Sequence, residues 1–422
     1  MRGNKRLQEI TLNLLEQELE REGKLVSFEG KIGGMNMSRF DKVDQLLQQF
    51  IANGPAGCGC AIAQNGEVLY EGYHGYADLE ARKPITEDTV YRLFSMTKVV
   101  VCAAALMLYE RGQFLLNEPL YEYFPEYRNA HVFKTAPNGY TYVDKAENPI
   151  LIKHIFNMSM GLPYASESSE TGKAMQKAIA GLKEKQGKYD LRTEIEALSE
   201  VPLAFEPGTR WLYGYGHDFV AGLIEVISGK SVGQFLKDEI FDPLGMNNTG
   251  YRYRGDIESR MASMYQRTDA GKLEKMEGFL DEYHQPDAIY EGGGAGLYST
   301  VKDYLTFSQM MSNGGTVNGV NLLGRKTIDL MRTNHLNTAQ LSDFINSYHT
   351  GYGYGLGVRT LMDKAAGHAN SSIGEFGWTG MAGTWVSIDP SEQFSVVYMH
   401  QLDPNMEEYH HLRVRAAAYS CL

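Results

Sequence analysis

The stretch YRLFSMTKVV (residues 91–100) places a serine, Ser95, three positions before a lysine, Lys98, at the start of an apolar run. Residues three apart lie on one face of a helix, so this lysine would point toward the serine. The run continues as SMTKVVVCAAALMLYERG, which predicts a helix of about fifteen residues that ends at Gly112. A helix this apolar is expected to be buried, with Ser95 in its first turn beside free N–H groups and the positive end of the helix dipole.

Burial among Val, Ala, Leu and Met side chains is expected to lower the pKa of Lys98 and leave a neutral amine that accepts the serine proton. A second S-x-x-K match, Ser299-Thr300-Val301-Lys302, opens an amphipathic helix with Asp303 alongside. There we expect the serine to cap the helix and the lysine to be solvated. Spacing alone does not separate the two matches, but the surroundings favour Ser95 as the nucleophile.

The regions on either side of this helix differ in pattern. Upstream, GCGCAIAQNGEVLYEGYHGYAD (57–78) predicts a β-hairpin around Asn65-Gly66. The last fifth of the chain is strand-like, and residues from about 105 to 285 mix short helices with loops. We therefore expect an α/β (α+β) fold, with one antiparallel sheet formed from both chain ends, flanking helices and an inserted, mostly helical region.

The N-terminal residues 1–36 form a predicted helical arm that is separable from the catalytic domain, residues 37–422. Its expected role is to dock on the body or on a neighbouring subunit, which would give a homo-oligomer. The arm has no apolar core of the kind a signal peptide needs, and VVVCAAALMLY (99–109) is too short to span a bilayer. A cytoplasmic location is therefore expected.

Composition excludes several classes of function. The 422 residues are 43% hydrophobic and 22% charged, as in a soluble globular protein, and the net charge of −12 argues against nucleic acid or an anionic membrane as partner. The four cysteines form no disulfide framework. Cys58 and Cys60 would lie on one face of a strand without a set of metal ligands, so core packing is the expected role.

Several blocks occur in a recognisable order: DTVYRLFSMTK, HIFNMSMGLPY (154–164), PLAFEPGTRWLYGYGHDF within 202–251, and GGGAGLYSTVKDYLTFSQMMSNGG. From about residue 40 to 400 the sequence resembles the serine β-lactamase and penicillin-binding-protein superfamily, whose nucleophile segment is S-x-x-K. The resemblance implies a β-lactamase-like fold and a serine acyl-enzyme on Ser95. It implies no metal and no organic cofactor.

The second catalytic element of that family falls on Tyr213-Gly214-Tyr215. Class C β-lactamases carry Y-x-N there, so the asparagine is missing. The segment YGYGHDFVAGLIE instead resembles family VIII carboxylesterases and related acyltransferases, with Asp218 at the acidic position. Tyr213 is implied to share proton transfer with Lys98, and Tyr215 is the alternative. His217 is expected to be a polar residue of the pocket rim and not a catalyst.

The third element is K-T-G in β-lactamases and Trp378-Thr379-Gly380 here. Family VIII esterases likewise place tryptophan at this position. An indole cannot pair with a substrate carboxylate, but it forms an apolar wall for an acyl or alcohol group. Gly380 would let the substrate approach the strand, and the N–H of Met381 would join that of Ser95 in an oxyanion hole.

The function expected from these residues is a serine hydrolase that acts on small-molecule carboxylic esters, or amides, through an acyl-enzyme. Three alternatives remain open. The same intermediate could pass its acyl group to another acceptor, or the enzyme could be a weak β-lactamase or D-amino-acid peptidase. The protein could also be a catalytically silent ligand-binding relative, although the retention of Ser95, Lys98 and Tyr213 together argues against this.

Overall fold

The hairpin turn at Asn65-Gly66 joins the first two strands of the central sheet, β1 (Gly57–Gln64) and β2 (Glu67–Asp78). Asn65 and Gly66 have φ angles of 54° and 83°. Positive φ at both central residues is what a two-residue type I′ hairpin requires. The hairpin expected from the sequence is therefore confirmed.

A computed structural model describes residues 39–345 and 349–422 of the chain. The predicted N-terminal arm, residues 1–36, lies outside the described residues. Residues 42–422 form one compact unit.

Six further strands complete the sheet: β3 (Lys83–Pro84), β4 (Tyr352–Tyr354), β5 (Arg359–Leu361), β6 (Phe376–Gly377), β7 (Trp385–Asp389) and β8 (Phe394–His400). In the described residues their spatial order is β4-β5-β6-β7-β8-β1-β2-β3, and every neighbouring pair is antiparallel. The last long strand, β8, pairs with the first, so that Cys58 lies opposite His400. One antiparallel sheet is thus built from both chain ends, as the sequence predicted.

Helices occupy the interval between β3 and β4 and flank the sheet at both chain ends. The α-helices are Asp41–Asn53, Thr97–Glu110, Ile152–Phe156, Glu170–Gln186, Leu191–Ala197, Gly216–Ser228, Val232–Leu236, Asp242–Leu244, Ile257–Arg260, Val301–Ser312, Arg325–Met331, Thr338–Phe344 and Glu407–Tyr419. Three short strand pairs lie outside the sheet in the described residues: Val90–Arg92 with Tyr298–Thr300, His131–Thr135 with Thr141–Lys145, and Thr316–Val317 with Val320–Asn321. A small three-stranded sheet has the order Leu402–Asp403, Tyr265–Arg267, Leu273–Lys275.

The helix Thr97–Glu110, called the nucleophile helix below, lies in the core. Every side chain from Thr97 to Leu108 is buried, and the helix packs against Gly216–Ser228. It is fourteen residues long, and Gly112 follows it with a left-handed φ of 69°. The length and the glycine stop agree with the sequence expectation, because an all-round apolar helix must be covered on every side.

The second S-x-x-K match has a structural role. Ser299 lies in the strand Tyr298–Thr300, fully buried, and its hydroxyl contacts Thr249 at 2.8 Å. Thr300, not Ser299, caps the following helix by accepting a hydrogen bond from the Asp303 N–H. The Lys302 side chain is 65% exposed and faces Glu87, so it has no access to Ser299.

Two further expectations concern cysteines and membranes. All four cysteines are free and buried, in keeping with core packing. Within the described residues, no single helix has the length and apolar character needed to cross a bilayer. Only the pair Gly216–Ser228 and Val232–Leu244, bent by 78°, reaches that length and composition together.

Candidate active site

Ser95 lies in a 3-10 turn, Phe94–Met96, directly before the nucleophile helix. The residue before it, Phe94, has a φ of 47°, in the left-handed region that aromatic residues rarely adopt. Contacts from distant segments hold this turn. The Leu297 N–H donates to Thr97 Oγ1 at 3.1 Å, and the Tyr304 hydroxyl donates to the Met96 carbonyl at 2.9 Å. Strain of this kind persists only where surrounding structure imposes it, and it is typical of functional sites.

The ammonium of Lys98 is completely buried one helical turn from Ser95. It donates to Ser95 Oγ at 3.1 Å, to the Tyr164 hydroxyl at 2.8 Å and to the Gly294 carbonyl. A protonated lysine has three N–H donors and no acceptor, so these three partners satisfy it fully. The structure therefore brings the predicted nucleophile and its lysine into direct contact.

Neighbouring groups give Lys98 a different charge from the one that the sequence predicts. Burial does act to lower its pKa, but the phenols of Tyr164 and Tyr213 and the carboxylate of Asp218 raise it, and the net direction is upward. The Lys98 nitrogen also lies 4.9 Å from the ring centroid of Tyr213 and 5.5 Å from that of Tyr164, where aromatic faces attract a cation. The resting lysine is thus an ammonium, and the prediction of a neutral amine from burial alone is wrong.

Tyr164 is a site residue that the sequence reasoning missed. It is the last residue of the HIFNMSMGLPY block, 66 positions from Lys98 along the chain, and its hydroxyl is the phenol in contact with the lysine. Burial raises the pKa of Tyr164, while Lys98 lowers it. The sequence signal that points to it is its place at the end of a block that resembles the family.

Tyr213 and Trp378 contact one another across the site. The Trp378 indole N–H donates to the Tyr213 hydroxyl at 3.1 Å, and their ring centroids are 5.7 Å apart. Tyr213 presents its ring to Lys98, and its hydroxyl accepts from the indole. Among the described residues it makes no hydrogen bond to Lys98 or Ser95, so its share in proton transfer stays a prediction. Trp378 is 4% exposed and packs edge-on against Tyr354. Trp378 therefore packs in an aromatic cluster with Tyr213 and Tyr354, and its role as a wall for an acyl or alcohol group stays a prediction.

The Trp378-Thr379-Gly380 segment lies against the Ser95 turn. A Cβ on Gly380 would come within 2.3 Å of the Leu93 carbonyl oxygen, so only glycine allows this close approach. Thr379 donates its hydroxyl to Glu407 at 2.8 Å, which anchors the segment to the C-terminal helix. Met381 is 46% exposed, and its N–H makes no hydrogen bond among the described residues, which leaves that donor available to a substrate oxygen.

Asp218 supports Lys98 indirectly. Its carboxylate accepts from the Gly294 N–H at 3.1 Å, and the Gly294 carbonyl accepts from Lys98. A Cβ at position 294 would lie 2.6 Å from Asp218 and 3.0 Å from the Tyr164 hydroxyl, so the cluster needs glycine there. Burial raises the pKa of Asp218 to about 6, although Lys98 opposes this shift.

Neither His217 nor Tyr215 takes the role that the sequence suggested for it. His217 is not at the rim: it is fully buried, contacts the Phe156 carbonyl at 2.8 Å, and has a pKa lowered to about 3 by burial and by Lys98. It lies on the side of the helix Gly216–Ser228 that faces the core, and the rim prediction is wrong. Tyr215 interacts with Glu194 through its hydroxyl, so it does not take the place of Tyr213 beside Lys98.

A cavity of about 560 Å³ opens next to this cluster. Phe94, which precedes Ser95, lines it, and so do Tyr164 and Gly294, which both contact the Lys98 ammonium. Pockets of this size accommodate small organic molecules. The arrangement combines a hydroxyl, a buried ammonium and phenols beside a ligand-sized space, which is suited to nucleophilic attack and proton transfer.

Comparison with known proteins identifies the family. A family model described as Beta-lactamase matches residues 43–420, nearly the whole described chain. The chain belongs to the Beta-lactamase family. The resemblance drawn from the sequence blocks is thereby confirmed.

Individual relatives cover most of the chain. An uncharacterized protein of Mycobacterium tuberculosis (strain CDC 1551 / Oshkosh) is 30% identical over 357 residues, which are 83% of this chain and 87% of that protein. Esterase EstB of Burkholderia gladioli is 26% identical over 379 residues, 86% of this chain and 89% of its own length. Among solved structures, EstCE1, a hydrolase with promiscuous acyltransferase activity, has a TM-score of 0.75 at 24% identity and covers 90% of this chain and 98% of its own. The last likeness shows the shared fold.

Proposed function

We propose that this protein is a serine hydrolase that cleaves small carboxylic esters through an acyl-enzyme on Ser95. The observation that carries the proposal is the 3.1 Å contact between Ser95 Oγ and the buried Lys98 nitrogen, beside a cavity of about 560 Å³. The relationship to Esterase EstB supports an ester as substrate.

In the first half-reaction Ser95 Oγ bonds to the ester carbonyl carbon and loses its proton to the Lys98–Tyr164 pair. The Lys98–Tyr164 pair can accept this proton after it has lost one of its own, either from Lys98 Nζ or from the Tyr164 hydroxyl. The N–H groups of Ser95 and Met381 stabilise the oxyanion that forms. The pair then returns the proton to the alkoxide oxygen as the carbon–oxygen bond breaks, so the alcohol leaves neutral and the acyl group stays on Ser95.

In the second half-reaction a hydroxyl compound attacks the acyl-enzyme and gives its proton to the same pair, which returns it to Ser95. With water as the attacking molecule the product is a carboxylic acid, and with an alcohol it is a new ester. Transfer to an alcohol is the second candidate activity. It is favoured by the shared fold with EstCE1, a hydrolase with promiscuous acyltransferase activity.

Esters fit this site better than β-lactams do. In β-lactamases the lysine of K-T-G is expected to hold a substrate carboxylate. Here Trp378 stands at that position, and it contacts Tyr213. Burying a substrate carboxylate there without a cationic partner would be costly. The position of the missing asparagine holds Tyr215, whose hydroxyl is directed to Glu194.

The proposal is tested by covalent labelling. A fluorophosphonate probe should label the protein once, and mass spectrometry of a digest should place the adduct on Ser95. Ser95→Ala should remove both labelling and hydrolysis of p-nitrophenyl esters of graded chain length. Ser299→Ala, in the second S-x-x-K match, is the matched control and should retain both. Labelling that persists in Ser95→Ala would refute the assignment.

A further inference from the structure

The inner wall of the cavity carries two buried carboxylates, Glu194 and Asp218, which are only 3% and 5% exposed. Among the described residues, neither has a lysine, arginine or histidine nitrogen within the 4.0 Å of an ion pair. Another buried carboxylate nearby, Glu291, does have such a partner in Arg252 at 2.9 Å. Buried carboxylates are ordinarily paired, because removing a charge from water is costly.

Three phenols surround Glu194. The Tyr290 hydroxyl donates to it at 2.7 Å, and the hydroxyls of Tyr189 and Tyr215 interact with it as well. Burial and the Glu194 charge raise the pKa of Tyr189 and Tyr215, so both remain neutral hydrogen-bond donors at physiological pH. Hydrogen bonds from neutral phenols satisfy the carboxylate oxygens but leave the negative charge uncompensated.

The same cavity is rich in aromatic rings. Tyr290 meets Tyr189 edge to face at 6.1 Å and Tyr283 at 6.3 Å, and Tyr215 meets Tyr164 at 5.6 Å. All five tyrosines line the cavity. Aromatic groups around a negative charge are the recognised means of binding an ammonium, because the ring faces attract a cation and accept its methyl or methylene groups.

The cations that line the cavity do not neutralise its interior. Lys183 and Lys188 are exposed at the mouth, and Lys188 pairs with Asp287. Arg92 is engaged by Asp281 and by the Ala262 carbonyl. Lys98 already donates to its three acceptors next to Ser95. The two buried cations at the cavity, Arg92 in its lining and Lys98 behind Tyr164 and Gly294, therefore donate to acceptors other than Glu194 and Asp218.

We propose that this cavity binds a positively charged ammonium group on the substrate, held by Glu194, Asp218 and the surrounding tyrosines, while the ester carbonyl lies at Ser95. The inference rests on the proposed function and specifies its substrate class: esters whose acyl or alcohol part carries a protonated or quaternary amine. Phe94 precedes Ser95 in the chain, and Tyr164 and Gly294 contact Lys98, so the cavity that would hold this group adjoins the nucleophile.

Two isosteric pairs of esters test the charge on each side of the carbonyl. On the acyl side, the p-nitrophenyl ester of 4-(trimethylammonio)butanoate is compared with that of 5,5-dimethylhexanoate. On the alcohol side, acetylcholine is compared with 3,3-dimethylbutyl acetate. We expect kcat/KM to favour the cationic member of at least one pair by about tenfold or more, in line with a charge-assisted aromatic site. Equal or faster cleavage of the neutral member in both pairs would overturn the inference.

Glu194→Gln removes the charge and keeps a carbonyl oxygen for the phenols. The cationic-to-neutral ratio of kcat/KM should fall at least several-fold in this variant. Glu196→Gln removes one exposed carboxylate from the same helix, Leu191–Ala197, and should keep the wild-type ratio. A ratio that falls equally in both variants would show a general charge effect and would overturn the assignment to the cavity.

A binding measurement separates this inference from the proposed function. Saturation-transfer NMR should show that tetramethylammonium, but not the neutral tert-butanol, binds the wild-type protein, and that Glu194→Gln weakens this binding. Tetramethylammonium binding without labelling of Ser95 would support the cation site and refute the hydrolase. Labelling and ester cleavage without tetramethylammonium binding would refute the cation site and leave the hydrolase standing.

Discussion

Tyr164→Phe is the substitution that most directly tests the structural account of the nucleophile. It deletes one oxygen, the atom that accepts from the Lys98 ammonium at 2.8 Å, and keeps the ring contacts with Tyr213 at 5.7 Å and Tyr215 at 5.6 Å. The fold should therefore be retained. Only the hydrogen bond and its electrostatic effect on Lys98 are lost.

The size of the effect follows from the bond that is removed. A hydrogen bond to a charged group contributes about 1.5–3 kcal/mol. If the bond stabilises the transition state by this much more than it stabilises the resting enzyme, its loss lowers kcat by about 10- to 150-fold, because each 1.36 kcal/mol is a factor of ten. Tyr73→Phe is the matched control, since it deletes a phenol that donates to Glu71 at 3.0 Å in β2, outside the site.

The pH dependence has a definite sign. Burial lowers the pKa of Lys98, and Tyr164 raises it. Removing the Tyr164 hydroxyl therefore lowers the pKa of Lys98. The pair becomes basic at a lower pH, and the rising limb of kcat/KM against pH moves to the acid side. Because the pKa of Lys98 is raised above the ordinary lysine value, the assay is hydrolysis of an alkyl ester, which withstands base better than a p-nitrophenyl ester, followed into the alkaline range. An unchanged kcat together with an unmoved limb would refute the Lys98–Tyr164 contact as part of the reaction.

Three further predictions address other parts of the site. Lys98→Met, which fills the same space without donors, should lower kcat for ester hydrolysis at least about a hundredfold, because it removes the proton acceptor; a loss below tenfold would contradict the assignment. Trp378→Lys should weaken turnover of a neutral short-chain ester and improve capture of nitrocefin, measured as kcat/KM for both substrates, and a change in the opposite direction for both would count against the aromatic wall. Asp218→Asn should stabilise the protein more at pH 8 than at pH 4. In the folded protein the pKa of Asp218 is about 6 instead of 3.8. Ionisation of Asp218 therefore lowers the free energy of unfolding of the wild type by about 3 kcal/mol above pH 6, and the amide of the variant avoids this loss. Urea unfolding at both pH values measures this, and a difference that does not vary with pH would contradict the shift.

The elements that could be read from the sequence are those set by neighbouring residues. The Asn65-Gly66 turn follows from the φ preferences of two adjacent residues, and the nucleophile helix from a continuous apolar run. Ser95 and Lys98 face one another because helix geometry places residues three apart on one side. The antiparallel sheet from both chain ends was predictable because each end carried strand-like patterns and the middle did not.

The charge of Lys98 was not predictable in this way. Burial was correctly expected, and burial alone lowers a lysine pKa. The groups that reverse the direction come from Tyr164, Tyr213 and Asp218, which lie in two segments of the chain far from Lys98 in sequence. Their effect depends on distances of a few ångströms, and those distances exist only after the helical region has packed against the nucleophile helix.

By itself, the sequence determined the family, the sheet built from both chain ends, and the serine and lysine that share one helical turn, because each depends on local geometry or on the order of recognisable blocks. The tertiary structure alone decided which phenol contacts Lys98, that His217 turns into the core, and that Glu194 and Asp218 share one cavity beside Ser95. The reason is physical: electrostatic and hydrogen-bond energies fall steeply with distance, and distances between residues far apart in sequence are set by packing of the whole chain.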